Sequence, residues 1–239
     1  MYSKIRGVVL NSIKYSDNKL ITNIFTENFG SQAFILNISR SKNAVFRTNI
    51  IQPLSILDIE VSYKPNKEFQ HIKDCKPFYI YKSVYYDIIK STIVLFLTEV
   101  LYKSIRSENA NESLFNFLLN FMIDFDSKAE DYNNYHIYFL LELMKYIGFY
   151  PYNNYSEEHC FFDLKEGNFA SFPPNHKNYL DPIQSKIMSD ALNLGIKHQI
   201  VLSHDSKKNL LYNILLYYKF HIIGFKEVKS HKILEDVLA

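Results

Sequence analysis

The first third of the chain alternates apolar and polar residues with a period of two, which is the spacing of strands buried on one face. Turn residues separate five such runs, at residues 4–15, 20–26, 31–39, 54–63 and 68–75. Gly30 can supply a positive φ before the third run, and Pro53, which has no backbone N–H, is expected to begin the fourth. Five short strands in about 75 residues predict a small Greek-key barrel of the OB type.

After Pro77 the period changes, and apolar residues recur every three or four positions, as on a helix with a buried face. This pattern predicts helices at residues 86–106, 113–125 and 135–147. Gly148 is expected to end the third helix in the left-handed conformation. Alternation around Glu166 and Gly167 then predicts a small β-hairpin between residues 160 and 171.

Three more helices are predicted towards the C-terminus. Asp181 is a good N-cap for a helix that runs to Leu194 and ends at Gly195. Ser206 is expected to cap the next helix, and the last runs from residue 230 to 238. The predicted fold class is therefore α+β, with a five-stranded OB-fold barrel over residues 1–80 and a mostly helical domain over residues 81–239.

Composition and cysteine usage narrow the class of protein. Apolar residues make up 47% of the chain and charged residues 22%, with six glycines and seven prolines, so we expect an ordered globular protein. Two cysteines cannot form a disulfide framework, and the N-terminus lacks the apolar run of a signal peptide. No apolar run approaches the roughly 18 to 20 residues that cross a bilayer. A cytoplasmic protein is expected.

Positive charge is concentrated in the predicted barrel. Residues 1–80 contain 11 Lys and Arg against 6 Asp and Glu, whereas residues 81–239 contain 16 against 19. A basic surface attracts phosphates in a salt-dependent, sequence-independent way, although charge alone leaves a solvated surface with a chance imbalance equally open. The residues predicted to bind DNA are Arg6, Lys14, Lys19, Arg40, Lys42, Phe46, Arg47, Lys64 and Lys67.

Four aromatic residues of the barrel, Tyr15, Phe34, Phe46 and Tyr63, could stack on bases, as the aromatic residues of OB-folds do. A place in the core is favoured for three of them. Phe46 is the exception and is expected to be exposed, because it lies in a basic loop between the third and fourth strands.

No enzyme motif accompanies the basic region. Neither glycine-rich phosphate-binding string, G-x-x-x-x-G-K-[ST] or G-x-G-x-x-G, occurs. The grouping that most resembles a metal or catalytic site comprises Glu157, Glu158, His159, Cys160, Asp163 and His176. An ordinary loop is favoured, because a structural zinc needs four nitrogen or sulfur ligands in spaced pairs. A nucleophilic role for Cys75 or Cys160 is less favoured still, and His221 and His231 are expected to be hydrogen-bonded packing residues.

Three stretches carry a family resemblance: GVVLNSIKYSDNKLITNIFTENFG at residues 7–30, ISRSKNAVFRTNIIQPLSIL at residues 38–57 and YYKFHIIGFKEVKSHKILEDVL at residues 217–238. In this order and spacing they resemble the RecO family of bacterial recombination mediators, over essentially the whole chain. The resemblance implies an OB-fold followed by a helical domain. It also implies a nucleoid-associated protein without turnover of its own that binds single- and double-stranded DNA.

The resemblance further implies partners in the RecF pathway. Such proteins anneal complementary strands coated by single-stranded DNA-binding protein and act with RecR to load RecA at gaps. The helical domain should receive the acidic, apolar C-terminal tail of single-stranded DNA-binding protein, in an apolar groove with cations at its rim. The candidate rim residues are Lys90, Lys103, Arg106 and Lys145, with ordinary solvated side chains as the favoured alternative.

The chain departs from the family pattern in two places. Many members carry two cysteine pairs that form a zinc site, whereas here that region keeps only Cys160, so no zinc and no other cofactor is expected. The usual Lys-Gly-Ala before the Arg-Ser-Lys loop is Asn37-Ile38-Ser39, which removes one cation and a flexible glycine.

Two other classes of function stay open at the level of sequence. A metal-dependent nuclease could use Glu157, Glu158 and Asp163; it would need Mg²⁺ and would shorten its substrate. An OB-fold adaptor between proteins would show no salt-sensitive DNA binding.

Overall fold

The computed structural model of the chain describes residues 2–37, 50–65, 67–106, 108–193 and 202–238. The chain divides into two compact units, Met1–Lys128 and Ala129–Ala239. The first unit contains the barrel and the two helices that follow it. The domain boundary at residue 80 stays a sequence-based prediction. No helix among the described residues combines the length and apolar character needed to span a bilayer.

Five strands close into a barrel: β1 (Ser3–Ser16), β2 (Lys19–Thr26), β3 (Gly30–Asn37), β4 (Ile56–Val61) and β5 (Phe69–Pro77). Their order is β1-β2-β3-β5-β4, and β4 pairs back onto β1. Strands β3 and β5 run parallel, and the other neighbouring strands run antiparallel. The predicted five-stranded barrel is confirmed.

The period-two alternation fills the interior of the barrel. Phe34 and Leu36 of β3 and Leu57, Ile59 and Val61 of β4 are at most 1% exposed and belong to one core. The residues between them in each strand face outward, as the pleat requires. The alternation that the sequence predicted is therefore present in both strands.

Strand β1 departs from alternation because both of its faces are covered near its middle. Val8, Val9 and Leu10 are all buried, since helix α1 (Ile88–Ile105) packs against β1 from outside. From Ser12 to Ser16 the side chains are exposed. Buried apolar residues therefore separate the exposed Lys4 from the exposed Lys14 along β1.

The turn before β4 corrects the expectation that Pro53 begins this strand. Leu54 has a φ of 57°, which is uncommon for a residue other than glycine. Its N–H donates to the carbonyl of Val9 (2.9 Å), and its carbonyl accepts from the hydroxyl of Tyr81 (2.7 Å). Because these two bonds hold Leu54 in a turn, β4 begins later in the chain, at Ile56.

The described residues contain six helices, and each had been predicted. They are α1, α2 (Glu112–Ser127), α3 (Tyr135–Tyr146), α4 (Pro182–Asn193), α5 (His204–His221) and α6 (His231–Val237). Gly148 has a φ of 84°, as expected after α3. The Asp181 carboxylate accepts from the N–H of Gln184 at 2.9 Å, as expected of the cap of α4; Leu194 and Gly195 lie outside the described residues. The cap predicted at Ser206 is wrong, because Ser203 accepts from the N–H of Ser206 at 3.2 Å.

The second unit also contains a small sheet of three short strands, β6 (Phe161–Asp163), β7 (Asn168–Ala170) and β8 (Tyr179–Leu180), in the order β7-β6-β8. The hairpin of β6 and β7 is confirmed, whereas the two-residue β8 was missed. Side-chain hydrogen bonds connect this sheet to the segment before it and to α4. Asn154 donates to the carbonyl of Phe169 (2.9 Å) and accepts from its N–H (2.8 Å), and the buried hydroxyl of Ser185 accepts from the N–H of Phe162 (2.8 Å).

A buried polar network in the first unit joins the segment before α1 to the end of α2. The carboxylate of Asp126, which is 4% exposed, accepts from the backbone N–H groups of Lys82, Ser83 and Val84 and from the hydroxyl of Tyr79, at 2.9 to 3.1 Å. The ammonium group of Lys90 donates to Ser83 Oγ (2.7 Å) and to the backbone carbonyls of Asp126 (3.2 Å) and Lys128 (2.5 Å). This network sets the path of the chain between β5 and α1.

Candidate nucleic-acid interface

The outer face of β1, β2 and β3 carries a row of apolar side chains. The strand register places Ile13 opposite Ile21 and Ile21 opposite Ile35. Ile21 and Ile35 point outward, because the alternate residues of β2 and β3 fill the core. Ile13 is 54% exposed, and the ring of Tyr15 nearby is 66% exposed. The exposed ring of Tyr15 is a surface on which a base can stack, and Ile13, Ile21 and Ile35 add an apolar surface next to it.

One end of this face carries the cations of the β1–β2 turn. Lys19 begins β2 and lies opposite Asn37 of β3. Lys14 pairs with Asp17 at 2.9 Å, and both side chains are exposed. A pair so accessible to water contributes little to stability and leaves Lys14 able to exchange Asp17 for a phosphate.

The opposite end of the barrel carries Lys64 and Lys67 in the β4–β5 connection, because β4 runs antiparallel to β1. The buried amide of Gln70 holds this connection: it accepts from the N–H of Lys64 (2.9 Å) and donates to the carbonyls of Lys64 (2.8 Å) and Lys67 (2.9 Å). Both lysine side chains are exposed. Within the described ranges, Lys19, Lys64 and Lys67 form no ion pair.

Arg6 lies on a different face of the barrel, formed by β1, β4 and β5. It is opposite Asp58 in the strand register, its Nε is 3.5 Å from the carboxylate of Glu27, and its guanidinium carbon lies 5.0 Å from the ring centroid of Phe78. Asp74 and Arg6 line one groove on this face. The structure therefore places Arg6 among carboxylates and does not bring it together with Lys14 and Lys19.

The remaining predicted DNA-binding residues, Arg40, Lys42, Phe46 and Arg47, lie outside the described residues. Among the other candidate aromatics, Phe34 is fully buried in the barrel core, and Tyr63 stacks on Phe29 with 3.9 Å between ring centroids. The expected core role is confirmed for these two. It is wrong for Tyr15, because β1 continues beyond the covered part of the barrel.

Sequence reasoning missed an exposed apolar segment directly after β5. Phe78, Ile80, Tyr86 and Ile88 are 41%, 76%, 84% and 73% exposed. The sequence did contain a signal for this segment. Lys76, Phe78, Ile80 and Lys82 occupy every second position, so cations and apolar side chains point outward together.

The four residues predicted at the rim of a peptide groove have different surroundings. Lys90 is 1% exposed, so it cannot lie at the rim of a surface groove, and its prediction is corrected: the ammonium group is buried among carbonyl oxygens. Lys103 pairs with Glu99 at 2.5 Å, and Lys145 pairs with Glu142 at 2.6 Å. Arg106 is exposed, with its guanidinium carbon 5.6 Å from the ring centroid of Tyr102.

The residues considered for a metal or catalytic site do not converge. Asp163 is 6% exposed; its carboxylate accepts from the N–H of Lys165 (2.8 Å) and lies 3.3 Å from His176. A hydrogen bond of 3.1 Å joins the Nδ1 of His159 to the hydroxyl of Ser156. Within the part of the chain that the structure describes, no three His, Cys, Asp or Glu side chains are placed to hold one metal ion. The described residues of this group therefore do not fit a closed tetrahedral zinc site.

We expect purified protein to contain no stoichiometric zinc, because the described residues around Cys160 lack the four spaced ligands of a structural site. Elemental analysis after exhaustive dialysis measures this, with a Cys75→Ala variant as the control for nonspecific thiol binding. About one equivalent of zinc that is lost on Cys160→Ala or His159→Ala would contradict the expectation.

Three other candidate residues are used in packing. The ring of His221 lies parallel to that of Phe149 with 5.8 Å between centroids, and its Nε2 donates to the carbonyl of Leu164 at 3.0 Å. His231 donates to the carbonyl of Val228 at 2.7 Å. Cys75 is 6% exposed, and burial raises the pKa of its thiol to about 12, so it is not a thiolate at neutral pH. The packing roles expected for the two histidines are confirmed.

Comparison with known proteins gives matches along the whole chain. Residues 1–81 match the family model described as recombination protein O N terminal, and residues 85–230 match the model described as recombination protein O C terminal. The chain is 34% identical over 245 residues to the DNA repair protein RecO of Flavobacterium psychrophilum, with 100% of both chains covered. It is 31% identical over 242 residues to the DNA repair protein RecO of Bacteroides fragilis, with 99% of both covered.

Proposed function

Since the chain belongs to the RecO family of DNA repair proteins, we propose that it binds single- and double-stranded DNA and anneals complementary strands without turnover of its own. It acts on strands coated by single-stranded DNA-binding protein and, with RecR, helps to load RecA at gaps, in the cytoplasm at the nucleoid. The observation that carries this proposal is the outer face of β1, β2 and β3, where Ile13 and Tyr15 are exposed beside the half-buried Ile21 and Ile35, with Lys14 and Lys19 at one end.

The chemistry of that face suits annealing. Lysines outside ion pairs neutralise phosphates, which lowers the repulsion between two strands that must approach each other. Aromatic side chains such as Tyr15 accept unpaired bases of any sequence, because every base has a stacking face. Neither contribution needs a metal ion or a nucleotide, so the reaction should proceed in a chelator.

The tail of single-stranded DNA-binding protein is proposed to bind residues 81–239 at a local cation. These residues contain 16 Lys and Arg against 19 Asp and Glu, so the region as a whole does not attract an acidic peptide. Among the four candidates, Arg106 is exposed and near Tyr102, whereas Lys103 and Lys145 already have carboxylate partners. Arg106 is the rim residue that these contacts favour.

A strand-annealing assay in EDTA tests the proposal. We expect the protein to accelerate annealing of bare complementary oligonucleotides without Mg²⁺ or nucleotide, and to do so on strands coated with single-stranded DNA-binding protein. Coating with a tail-deleted single-stranded DNA-binding protein should abolish the second activity and leave the first unchanged.

The alternatives give different results in the same assay. A nuclease shortens the labelled strand when Mg²⁺ replaces EDTA, and an adaptor neither anneals nor shifts DNA at any salt concentration. Either result would sink the proposal. If strands coated with intact single-stranded DNA-binding protein anneal and strands coated with the tail-deleted protein do not, the result supports the interaction with the tail specifically.

A further inference from the structure

The segment that leaves β5 presents a continuous set of apolar and basic side chains to solvent. Lys76, Phe78, Ile80 and Lys82 alternate on its outward side, and Tyr86 follows just before α1. The side chain of Tyr86 is 84% exposed and that of Ile80 is 76% exposed. Scattered exposed apolar residues are ordinary, but a contiguous patch of them marks an interaction site.

Ile80 and Tyr86 of this segment line a groove of about 460 Å³ in the first unit. Tyr79 and Tyr85 also line it, together with Ile50 and Gln52. The groove is therefore mainly aromatic and apolar, and it lies next to the residues that open β4.

Hydrogen bonds to other segments of the first unit hold the aromatic side chains that line the groove. The hydroxyl of Tyr79 donates to Asp126 at 3.0 Å, and the hydroxyl of Tyr85 donates to the carbonyl of Pro53 at 2.9 Å. The ring of Tyr81 lies between them and meets each ring edge to face, with centroid distances of 5.3 and 5.2 Å. These hydrogen bonds and ring contacts fix the positions of Tyr79 and Tyr85, so this part of the groove is preorganised for a flat ligand.

We propose that this groove binds unpaired bases of single-stranded DNA, with Tyr86 as a stacking platform and Lys82, exposed two residues after Ile80, as a phosphate contact beside the groove. Charge favours this ligand: Lys82 is exposed beside Ile80, and none of the described residues that line the groove is acidic. A base can enter an aromatic groove only when its faces are free of its neighbours, which excludes an intact duplex. The inference rests on the proposed function and adds a preference for the single-stranded form at this groove.

The test uses the full chain and two labelled DNAs, an oligothymidylate and a duplex of the same length, with binding followed by fluorescence anisotropy at several salt concentrations. Tyr86→Ala is expected to weaken binding to the oligothymidylate about fivefold to 150-fold, which is the loss that one stacked base corresponds to. Binding to the duplex should stay within about twofold, and the salt slope for both DNAs should not change, because no phosphate contact is removed.

The controls separate stacking from folding and from general DNA binding. Tyr152→Ala removes an aromatic side chain that is 72% exposed in the second unit and should leave both affinities unchanged. Tyr86→Trp should retain binding, and because the chain contains no other tryptophan, its fluorescence should be quenched by the oligothymidylate and not by the duplex.

The outcomes distinguish this inference from the proposed function. If the unaltered protein binds neither DNA, the proposed function fails. If it binds both and Tyr86→Ala binds the oligothymidylate as tightly as the unaltered protein does, only the groove assignment is overturned. Equal losses for the oligothymidylate and the duplex also overturn it, since the groove would then not select unpaired bases.

Discussion

Replacing Asp126 with alanine is expected to lower the free energy of unfolding of the first unit by about 3 to 5 kcal/mol. The substitution removes the acceptor for three backbone N–H groups and for the hydroxyl of Tyr79, and it leaves the ammonium group of Lys90 buried without the nearby negative charge. Buried donors without acceptors lose their full solvation, which exceeds the net value of the bonds themselves. Urea denaturation of the full chain, followed by tyrosine fluorescence and circular dichroism, measures the change.

Asp124→Ala is the matched control on the same helix. Its carboxylate is 47% exposed, and its contact with Lys128 is 4.0 Å long, so the loss should stay below about 1 kcal/mol. Asp126→Asn should fall between the two, because the amide keeps one acceptor oxygen and loses the charge. An Asp126→Ala protein as stable as the control would show that the network is not needed to hold residues 79–90.

The same network predicts a dependence on pH. Burial raises the pKa of the Asp126 carboxyl, but the hydrogen bonds from Lys82, Ser83, Val84 and Tyr79 outweigh it, so the pKa lies below its ordinary value of 3.8. A folded-state pKa below the unfolded one means that the stabilisation is complete above the unfolded value and is lost as the pH falls through the folded value. The difference in stability between the unaltered protein and Asp126→Ala should therefore be constant near neutral pH and shrink only below about pH 4.

Combined replacement of Arg40, Lys42 and Arg47 with alanine is expected to reduce DNA affinity by about several hundredfold at 0.1 M salt, if each contacts one phosphate. Each lost contact removes about 0.9 from the slope of log K against log salt on duplex DNA, so three lower its magnitude by about 2.7. The single variants should each weaken binding by a similar, smaller factor for every sequence tested, because phosphate contacts do not read bases.

A variant of equal charge change controls for net charge. Lys165, Lys177 and Lys226 are exposed side chains of the second unit, and their combined replacement with alanine removes the same total charge from the chain. The salt slope of this control should stay close to that of the unaltered protein. If the barrel variant and the control show the same slope, the basic segment does not bind phosphates and its assignment from the sequence is wrong.

The local pattern of the chain was sufficient to predict the barrel strands, the β6–β7 hairpin and the six helices of the described residues. Period-two alternation in β3 and β4 identified the inner face of the barrel through Phe34 and Ile59, and Gly148 and Asp181 marked helix ends, because each of these signals acts within a few residues. Three short stretches at suitable spacing were also sufficient to indicate the family. Local periodicity thus determined the order of elements and the class of fold.

Tertiary contacts decided which side chains are available for function. Lys90 was expected at a surface and is buried. Asp126, which is distant in sequence, makes this burial possible, because its backbone carbonyl accepts a hydrogen bond from the ammonium group and its carboxylate carries a nearby negative charge. Tyr15 was expected in the core and is exposed, because β1 extends beyond the part of the barrel that is covered. The aromatic groove at Tyr86 depends on Pro53 and Asp126, which hold the neighbouring rings from separate parts of the chain. Burial and preorganisation arise from contacts between residues far apart in the chain, and a local pattern does not encode those contacts.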